Sequence, residues 1–226
     1  MTSWELFERL YREYDDWYTW NRVTAENELK VVLRADPGEA WRPCIDVGSG
    51  TGFFTAPIGC LGLEPSVNMA LIGRLARGVD AVQGRAEAMP IREGHVGSAF
   101  MVVTLCFLPS PSEAVAELRR ILRPGGKVIA CIVPRGSPWA REYERRGREG
   151  NPFYSVARFY TVREVVELFS SYGFTLEDAL GALTYGPFDG PRPEEPGPYS
   201  EGEGFACLRF KSLGHNRGLD EEARKA

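Results

Sequence analysis

One stretch decides the fold: Cys44-Ile45-Asp46-Val47-Gly48-Ser49-Gly50-Thr51-Gly52. Four residues of strand-forming character enter a loop with glycine at every second position, and Phe53-Phe54-Thr55-Ala56 follows with helical character. Glycine lacks a Cβ, so the backbone can turn sharply there and approach a ligand closely. The helix that follows adds unpaired N–H groups and positive dipole character at its N-terminus. The stretch therefore predicts a binding site for a nucleotide-like ligand.

The composition indicates an ordinary globular protein with a single domain over residues 1–226. Of its 226 residues 43% are hydrophobic and 26% charged, so the chain can bury one substantial core. The formal net charge of −4 argues against the basic surface of a nucleic-acid-binding protein. No apolar run is long enough to span a bilayer, and Met1-Thr2-Ser3-Trp4-Glu5 does not resemble the start of a signal peptide. We therefore expect a cytoplasmic protein without a nucleic-acid partner and without a membrane span.

Five cysteines are scattered along the chain without any C-x-x-C pair: Cys44, Cys60, Cys106, Cys131 and Cys207. Four of them occur in stretches that are typical of buried strands, where cysteine acts as a small hydrophobic residue. The pattern favours core packing for all five and argues against a zinc site or a disulfide framework. Cys106 follows the end of a predicted strand and could instead face the ligand site. We expect no metal site.

Strand and helix patterns alternate from residue 43 onward. The predicted strands are Pro43–Val47, Cys60–Leu63, Val79–Gly84, Ser98–Leu105, Lys127–Val133, Phe174–Leu183 and Phe205–Lys211. The predicted helices are Val67–Arg77, a helix that begins after Ser110 and ends near Leu122, Trp139–Arg148, and a helix from Thr161 to Tyr172. This alternation predicts a doubly wound α/β fold with a mostly parallel sheet, in which the fourth, continuously apolar strand is central.

The segment before the first strand, residues 1–38, is predicted to be helical in one or two pieces over 3–34. Aromatic residues recur there at three- and four-residue steps and form one face. Two interpretations remain open: a helix packed on the domain with the aromatics as its core side, or a lid over the ligand site. The aromatic content exceeds what packing alone needs.

The remaining segments divide into a cofactor-binding core, 40–133, an insertion, 134–160, and a C-terminal helix with two strands, 161–211. The insertion carries a dense mixture of arginine and glutamate, which is typical of a solvated face but could also steer anions. The tail, 212–226, is polar and predicted to be frayed. The insertion and a proline-rich loop between the last two strands are expected to shape the substrate pocket.

The glycine spacing excludes two common phosphate-binding loops. A dinucleotide fingerprint places its third glycine one position after Gly52, where this chain has Phe53. A P-loop requires a Gly-Lys-Ser/Thr sequence, which does not follow. The second predicted strand ends in Glu64, and an acid at that position of a nucleotide-binding α/β fold accepts hydrogen bonds from ribose hydroxyls.

Taken together, Asp46, the G-x-G-x-G loop and Glu64-Pro65-Ser66 resemble the class I S-adenosylmethionine-dependent methyltransferases. Gly84-Arg85-Ala86-Glu87-Ala88-Met89-Pro90 and the phrase from Leu118 to Lys127 resemble the small-molecule branch that includes ubiquinone/menaquinone-type (methyltransferase type 11) enzymes. The resemblance implies a Rossmann-like, seven-stranded sheet whose last strand is antiparallel. It also implies methyl transfer from S-adenosylmethionine to a small molecule, by in-line displacement, with S-adenosylhomocysteine as product.

The resemblance also implies cofactor roles by matching position. The glycine loop would approach the methionine part, Asp46 would orient that loop, and Glu64 would bind the ribose. The remaining residues would contact adenine or line the sulfonium side. The full set is Asp46, Gly48, Ser49, Gly50, Gly52, Glu64, Pro65, Met69, Ala86, Glu87, Thr104 and Leu105.

Two positions depart from the family pattern. Arg85 stands where the family usually has an aspartate that receives the adenine amino group, and arginine cannot accept a hydrogen bond. That contact must come from the backbone, from another side chain, or not at all. The short separation of Gly52 from Glu64 also leaves room for only a very short helix.

Aromatic residues outside the cofactor motifs are candidates for the substrate pocket. The main candidates are Tyr11, Tyr14, Trp20, Phe107 and Tyr154, with Trp17, Tyr143, Phe153, Phe159 and Tyr160 as further ones. An aromatic wall suits an apolar, planar or cationic amine substrate, although each of these residues could instead be core. His95 and His215 are expected at the surface.

No catalytic residue is predicted, because transfer of an activated methyl group needs alignment more than acid–base groups. Two alternatives stay open: an NAD(P)-binding oxidoreductase, or a non-catalytic S-adenosylmethionine-binding protein. We expect a monomer or a homodimer.

Overall fold

The structure, a computed structural model, describes residues 2–213. The predicted frayed tail from residue 214 onward and His215 lie outside the described residues. The helices are α1 (Ser3–Arg9), α2 (Tyr11–Trp20), α3 (Arg22–Ala35), α4 (Thr55–Ile58), α5 (Val67–Arg77), α6 (Pro111–Ile121), α7 (Pro138–Arg148) and α8 (Val162–Ser171). The strands are β1 (Cys44–Val47), β2 (Leu61–Glu64), β3 (Ala81–Gln83), β4 (Val96–Val102), β5 (Leu122–Ile132), β6 (Phe174–Ala182), β7 (Gly197–Pro198) and β8 (Phe205–Ser212).

The strands form one sheet in the order β3-β2-β1-β4-β5-β8-β6-β7. The pairs from β3 to β5 are parallel, and β8 lies antiparallel between β5 and β6. The strand order reverses between β1 and β4, and in such sheets ligands bind beyond the carboxyl ends of the strands at this switch point. The doubly wound fold with an antiparallel last long strand is confirmed. The sheet has eight strands rather than seven, because Gly197–Pro198 in the proline-rich loop adds a two-residue edge strand to β6.

Strand β4 separates the two cores of the molecule. All seven of its residues are buried, and neighbouring side chains point to opposite faces of the sheet. Phe100 packs on the face covered by the N-terminal helices, together with Val31 of α3. Met101 packs on the other face with Leu118 of α6 and Phe169 of α8. The central position predicted for this strand is confirmed.

The N-terminal segment has three helices, whereas one or two pieces were expected. The breaks fall at Leu10 and Asn21, whose backbone ψ angles of 32° and 36° leave the helical region. Helix α8 begins with a capping box, in which Thr161 and Glu164 satisfy each other's backbone N–H groups. No helix among residues 2–213 is long and apolar enough to cross a membrane.

Two disulfides contradict the expectation that the cysteines form no disulfide framework, although the four cysteines involved are buried in the core as expected. Cys44 at the start of β1 bonds to Cys60, which lies just before the neighbouring strand β2. Cys131 in β5 bonds to Cys207, the residue directly opposite it in β8. The Cα atoms are 5.0 and 3.9 Å apart. Spacing along the chain could not show these pairs, because each joins strands that only the sheet order brings together. Disulfides are rare in cytosolic proteins outside hyperthermophiles, so these two bonds are unusual for the cytoplasmic location expected from the sequence.

Candidate functional site

The glycine loop lies at the carboxyl end of β1, at the switch point of the sheet. Gly48, Gly50 and Gly52 have φ angles of +73°, +55° and +81°, a region that favours glycine. A Cβ on Gly48 would lie 2.4 Å from the Cγ2 atom of Thr104, two residues after the end of β4. The Gly48 N–H donates to the carbonyl of Leu63 in β2, at 2.8 Å. The loop is therefore fixed between the two strands that flank β1.

Glu64 at the end of β2 holds the loop from the other side. Its carboxylate accepts hydrogen bonds from the N–H groups of Gly50 at 2.8 Å and Ser66 at 2.9 Å. Burial raises the pKa of Glu64 to about 7, although the two N–H donors oppose that shift. Each carboxylate oxygen can accept a further hydrogen bond. Glu64 thus supports the loop and still offers acceptors to a ligand.

Asp46 connects the loop to the short helix that follows it. One carboxylate oxygen, Oδ2, accepts a hydrogen bond from the Thr55 hydroxyl at 2.6 Å, at the first residue of α4. Burial raises the pKa of Asp46 to about 7. Helix α4 has only four residues and ends at Gly59 in the left-handed conformation, which agrees with the expected short helix.

Three buried side-chain polar atoms in residues 2–213 have no hydrogen-bond partner: Asp46 Oδ1, Ser49 Oγ and Glu87 Oε1. Buried polar atoms are rarely left unpaired, so each one calls for an explanation. All three belong to residues that the sequence assigned to the cofactor site. Of the three residues, only Glu87 lines a cavity, so its Oε1 atom is the one that can meet a ligand.

The first cavity lies above the glycine loop and encloses about 90 Å³. Eight predicted cofactor residues line it: Gly48, Gly50, Glu64, Pro65, Met69, Ala86, Glu87 and Thr104. The other four predicted residues, Asp46, Ser49, Gly52 and Leu105, do not line it. Gly52 packs against Val79, where a Cβ would lie 2.9 Å from its Cγ2 atom, and Leu105 is buried in the core.

Arg85 and Glu87 lie together in the wall of the first cavity. The Arg85 Nε atom is 3.5 Å from Glu87 Oε2, and the Arg85 side chain is about half exposed. Glu87 Oε1 is buried without a hydrogen-bond partner, while the side chain as a whole is 9% exposed. A carboxylate acceptor is therefore present two residues after the position where the family pattern has aspartate.

The second cavity is larger, about 540 Å³, and mostly aromatic. It shares Phe7, Tyr14, Val103 and Phe107 with the first cavity, so the two spaces meet at the end of β4. Predicted pocket residues that line it are Tyr14, Trp17, Trp20, Phe107, Tyr143, Phe153 and Tyr154. Tyr11, Phe159 and Tyr160 do not line it.

Helices α1 and α2 close both cavities. Phe7 and Tyr14 face them, and the two rings meet edge to face with centroids 5.4 Å apart. Glu8 accepts hydrogen bonds from the Ser66 hydroxyl at 2.6 Å and the Asn68 N–H at 3.0 Å, which ties α1 to the start of α5. The aromatic face therefore packs on the domain and also lines both cavities, and its role as a lid stays a prediction.

Val103 stands at the junction of the two cavities with a φ angle of +54°. A β-branched residue at positive φ is a backbone outlier, and such strain concentrates at functional sites. The turn aims the segment after β4 so that Thr104 reaches the glycine loop and Phe107 reaches α1.

Glu28 was not singled out by the sequence analysis, yet it is the most unusual residue of the second cavity. Its side chain is on the buried face of α3, with a residue exposure of 4%, and it lines the cavity. Burial alone raises its pKa to about 8, and no hydrogen bond or charge in the described part of the chain opposes that shift. The spacing of Ala25, Glu28, Val32 and Ala35 is the signal that could have revealed it, because it puts a carboxylate on an apolar helix face.

Similarity to known proteins identifies the family of this chain. A family model described as a methyltransferase domain matches residues 45–130. A solved S-adenosylmethionine-dependent methyltransferase from Thermotoga maritima, described as a possible histamine N-methyltransferase, is 34% identical; the match covers 92% of this chain and 99% of that one, with a TM-score of 0.86.

Two curated relatives match shorter regions. An uncharacterised protein of Mycobacterium tuberculosis is 39% identical over 164 residues, which cover 71% of this chain and 57% of the relative, so the chain spans little more than half of that protein's length. A demethylmenaquinone methyltransferase of Renibacterium salmoninarum is 29% identical over 122 residues, 50% of this chain and 46% of the relative. With the switch-point glycine loop and the full-length match to the Thermotoga protein, this chain belongs to the S-adenosylmethionine-dependent methyltransferases.

Proposed function

We propose that the protein transfers a methyl group from S-adenosylmethionine, bound in the first cavity, to a small molecule bound in the second. The observation that carries the proposal is the junction of the two cavities at Phe7, Tyr14, Val103 and Phe107, beside the glycine loop. A transferable group bound at that junction would be accessible from both sides.

The residues of the first cavity fit the chemistry of S-adenosylmethionine. The backbone of Gly48 and Gly50 would approach the methionine part, since any Cβ there would narrow the cavity. Glu64 has carboxylate lone pairs left for the ribose hydroxyls. Pro65 and Met69 offer an apolar surface to adenine.

Glu87 would replace the aspartate that the family usually has at the position of Arg85. Its unpaired Oε1 atom is buried in the wall of the first cavity and can accept a hydrogen bond from the adenine amino group. Arg85 Nε lies 3.5 Å from the other carboxylate oxygen, Oε2, so Oε1 is the oxygen left for the ligand.

S-adenosylmethionine supplies a methyl group that is already activated by its positive sulfur. The protein therefore has to align the acceptor and keep water out, and alignment can supply on the order of 7–11 kcal/mol in favourable model reactions. Helices α1 and α2 provide the cover, and the aromatic rings of Phe7, Tyr14 and Phe107 provide the walls at the junction.

The relatives support a small-molecule acceptor without selecting one. One is described as a possible histamine N-methyltransferase and another as a demethylmenaquinone methyltransferase, and these two acceptors are chemically different.

An NAD(P)-dependent oxidoreductase is the main alternative. Phe53 occupies the position of the third glycine in a dinucleotide loop, and its ring stacks on Tyr18 with centroids 4.1 Å apart. A thermal-shift comparison of S-adenosylmethionine, S-adenosylhomocysteine and NADH tests the proposal. We expect the first two to raise the melting temperature. Stabilisation by NADH alone would contradict it.

A further inference from the structure

We propose that the second cavity binds the methyl acceptor as a small amine cation with an apolar body, and that the Glu28 carboxylate pairs with its ammonium group. This inference rests on the proposed function, because it assigns the acceptor of that same reaction.

The position of Glu28 is the first argument. Its neighbours on the buried face of α3 are Ala25, Val31 and Val32, all fully buried, and Glu28 itself is 4% exposed. No described residue forms an ion pair or a hydrogen bond that lowers its pKa. An ionised carboxylate without a partner in such surroundings costs several kcal/mol, so a bound cation would supply what the fold leaves out.

The aromatic walls are the second argument. Tyr14 and Tyr18 join through their hydroxyl groups at 2.9 Å, and the rings of Tyr143 and Tyr154 stack with centroids 4.2 Å apart. All four line the cavity together with Trp17. Aromatic faces attract cations, and the attraction grows to about 2 kcal/mol or more when water is excluded. The same walls hold an apolar body equally well.

The balance of charge is the third argument. Arg146 of α7 also lines the cavity, but its Nε donates to Glu142 Oε1 at 2.7 Å, so its charge is already paired. Glu13 of α2 adds a second carboxylate at the exposed rim. The remaining ionisable groups that face Glu28 are tyrosines with raised pKa values, which stay neutral. With Glu28 ionised, as it is when paired with a cation, the net field of the cavity is negative.

The chemistry balances with Glu28 as proton acceptor. The bound ammonium has no free lone pair, so it first gives one proton to the Glu28 carboxylate. The neutral amine then forms one N–C bond while one S–C bond breaks with its electron pair staying on sulfur, and Glu28 passes the proton to solvent. Burial raises the pKa of Glu28 to about 8, closer to that of an amine than an exposed carboxyl would be.

Calorimetric titration of the full chain, saturated with S-adenosylhomocysteine, tests the assignment. The probes are 2-phenylethylamine, 2-phenylethanol and 3-phenylpropionate, which share an apolar body and differ in charge. We expect the amine to bind at least about tenfold more tightly than the alcohol, and the acid to bind most weakly. Equal or tighter binding of the alcohol or the acid, or no binding of the amine, would overturn the proposal.

Variants of α3 give the matched comparison. Glu28→Gln keeps the shape and removes the charge, so the preference for the amine over the alcohol should disappear. Glu26→Gln changes an exposed glutamate on the same helix, paired with Arg22 at 2.7 Å, and should keep the preference. Persistence of the preference in Glu28→Gln would also overturn the proposal. Retained binding of S-adenosylhomocysteine shows that each variant is folded. If S-adenosylhomocysteine does not bind the wild-type protein, that result contradicts the proposed function and this assignment with it.

Discussion

Glu28→Gln should remove a pH dependence of stability that the wild-type protein carries. Burial raises the pKa of Glu28 from its ordinary value of 4.5 to about 8 in the folded protein. Between these two pH values the folded state keeps a proton that the unfolded state has released, so the free energy of unfolding falls as the pH rises. Below this window both states are protonated, and above it both are ionised, so the penalty is absent below and complete above.

The magnitude follows from the difference in pKa. Each unit corresponds to about 1.4 kcal/mol, so the full penalty above pH 8 is at most about 5 kcal/mol. Hydration of the carboxylate within the cavity lowers this, and we expect about 2–4 kcal/mol. Asp46 and Glu64 also have pKa values raised to about 7, so the wild-type profile alone mixes three groups. The difference in unfolding free energy between wild type and Glu28→Gln isolates the contribution of Glu28.

Urea unfolding followed by circular dichroism, from about pH 5 to about pH 9, measures this difference. At the acidic end, the free energy of unfolding of Glu28→Gln should match that of wild type apart from a constant offset. Toward the basic end, Glu28→Gln should become progressively more stable than wild type. Glu26→Gln, with its side chain half exposed, should run parallel to wild type. Parallel profiles for wild type and Glu28→Gln would refute the assignment of Glu28 as a buried, unpaired carboxyl.

Three further predictions concern the first cavity and the cysteines. Gly48→Ala should abolish binding of S-adenosylhomocysteine, because the new Cβ meets Thr104 at 2.4 Å. Gly59→Ala has a similar φ and open space around it, so it should cost only about 1–2 kcal/mol of stability and keep binding. Calorimetry of both variants checks this. Glu87→Gln should reduce the preference for S-adenosylhomocysteine over S-inosylhomocysteine, since the amide can donate to the 6-oxo group; an unchanged preference would exclude Glu87 from adenine recognition. Thiol titration of the denatured, unreduced protein should find one reactive thiol, that of Cys106, and five would contradict both disulfides.

Local patterns in the sequence predicted the parts of the fold that depend on neighbouring residues. Helix α5 has the predicted bounds, Val67–Arg77, because an N-cap serine precedes it and a glycine follows. The helix predicted from Thr161 is present for the same reason, because a capping box forms at its start. The glycine loop also depends on local chemistry, since its backbone angles exclude most other residues. The cofactor roles assigned to that loop stay predictions until a ligand is bound.

Features that join distant segments could not be predicted in this way. The partner of Cys131 is 76 residues away and becomes its neighbour only when β8 inserts between β5 and β6. The two-residue strand β7 depends on the edge that β6 offers. Glu28 resembles any helical glutamate until α2 and α7 enclose it, so its burial is a property of the packed molecule.

Transfer of a labelled methyl group tests the central claim most directly. The protein would be incubated with S-adenosylmethionine labelled in its methyl group and a metabolite extract separated into cationic, neutral and anionic fractions. We predict that S-adenosylhomocysteine forms in step with labelled product, and that the cationic fraction supports the reaction. Label in a neutral or anionic product would preserve methyl transfer and contradict the amine acceptor, whereas no S-adenosylhomocysteine with any fraction would contradict the claim that this protein is a methyltransferase.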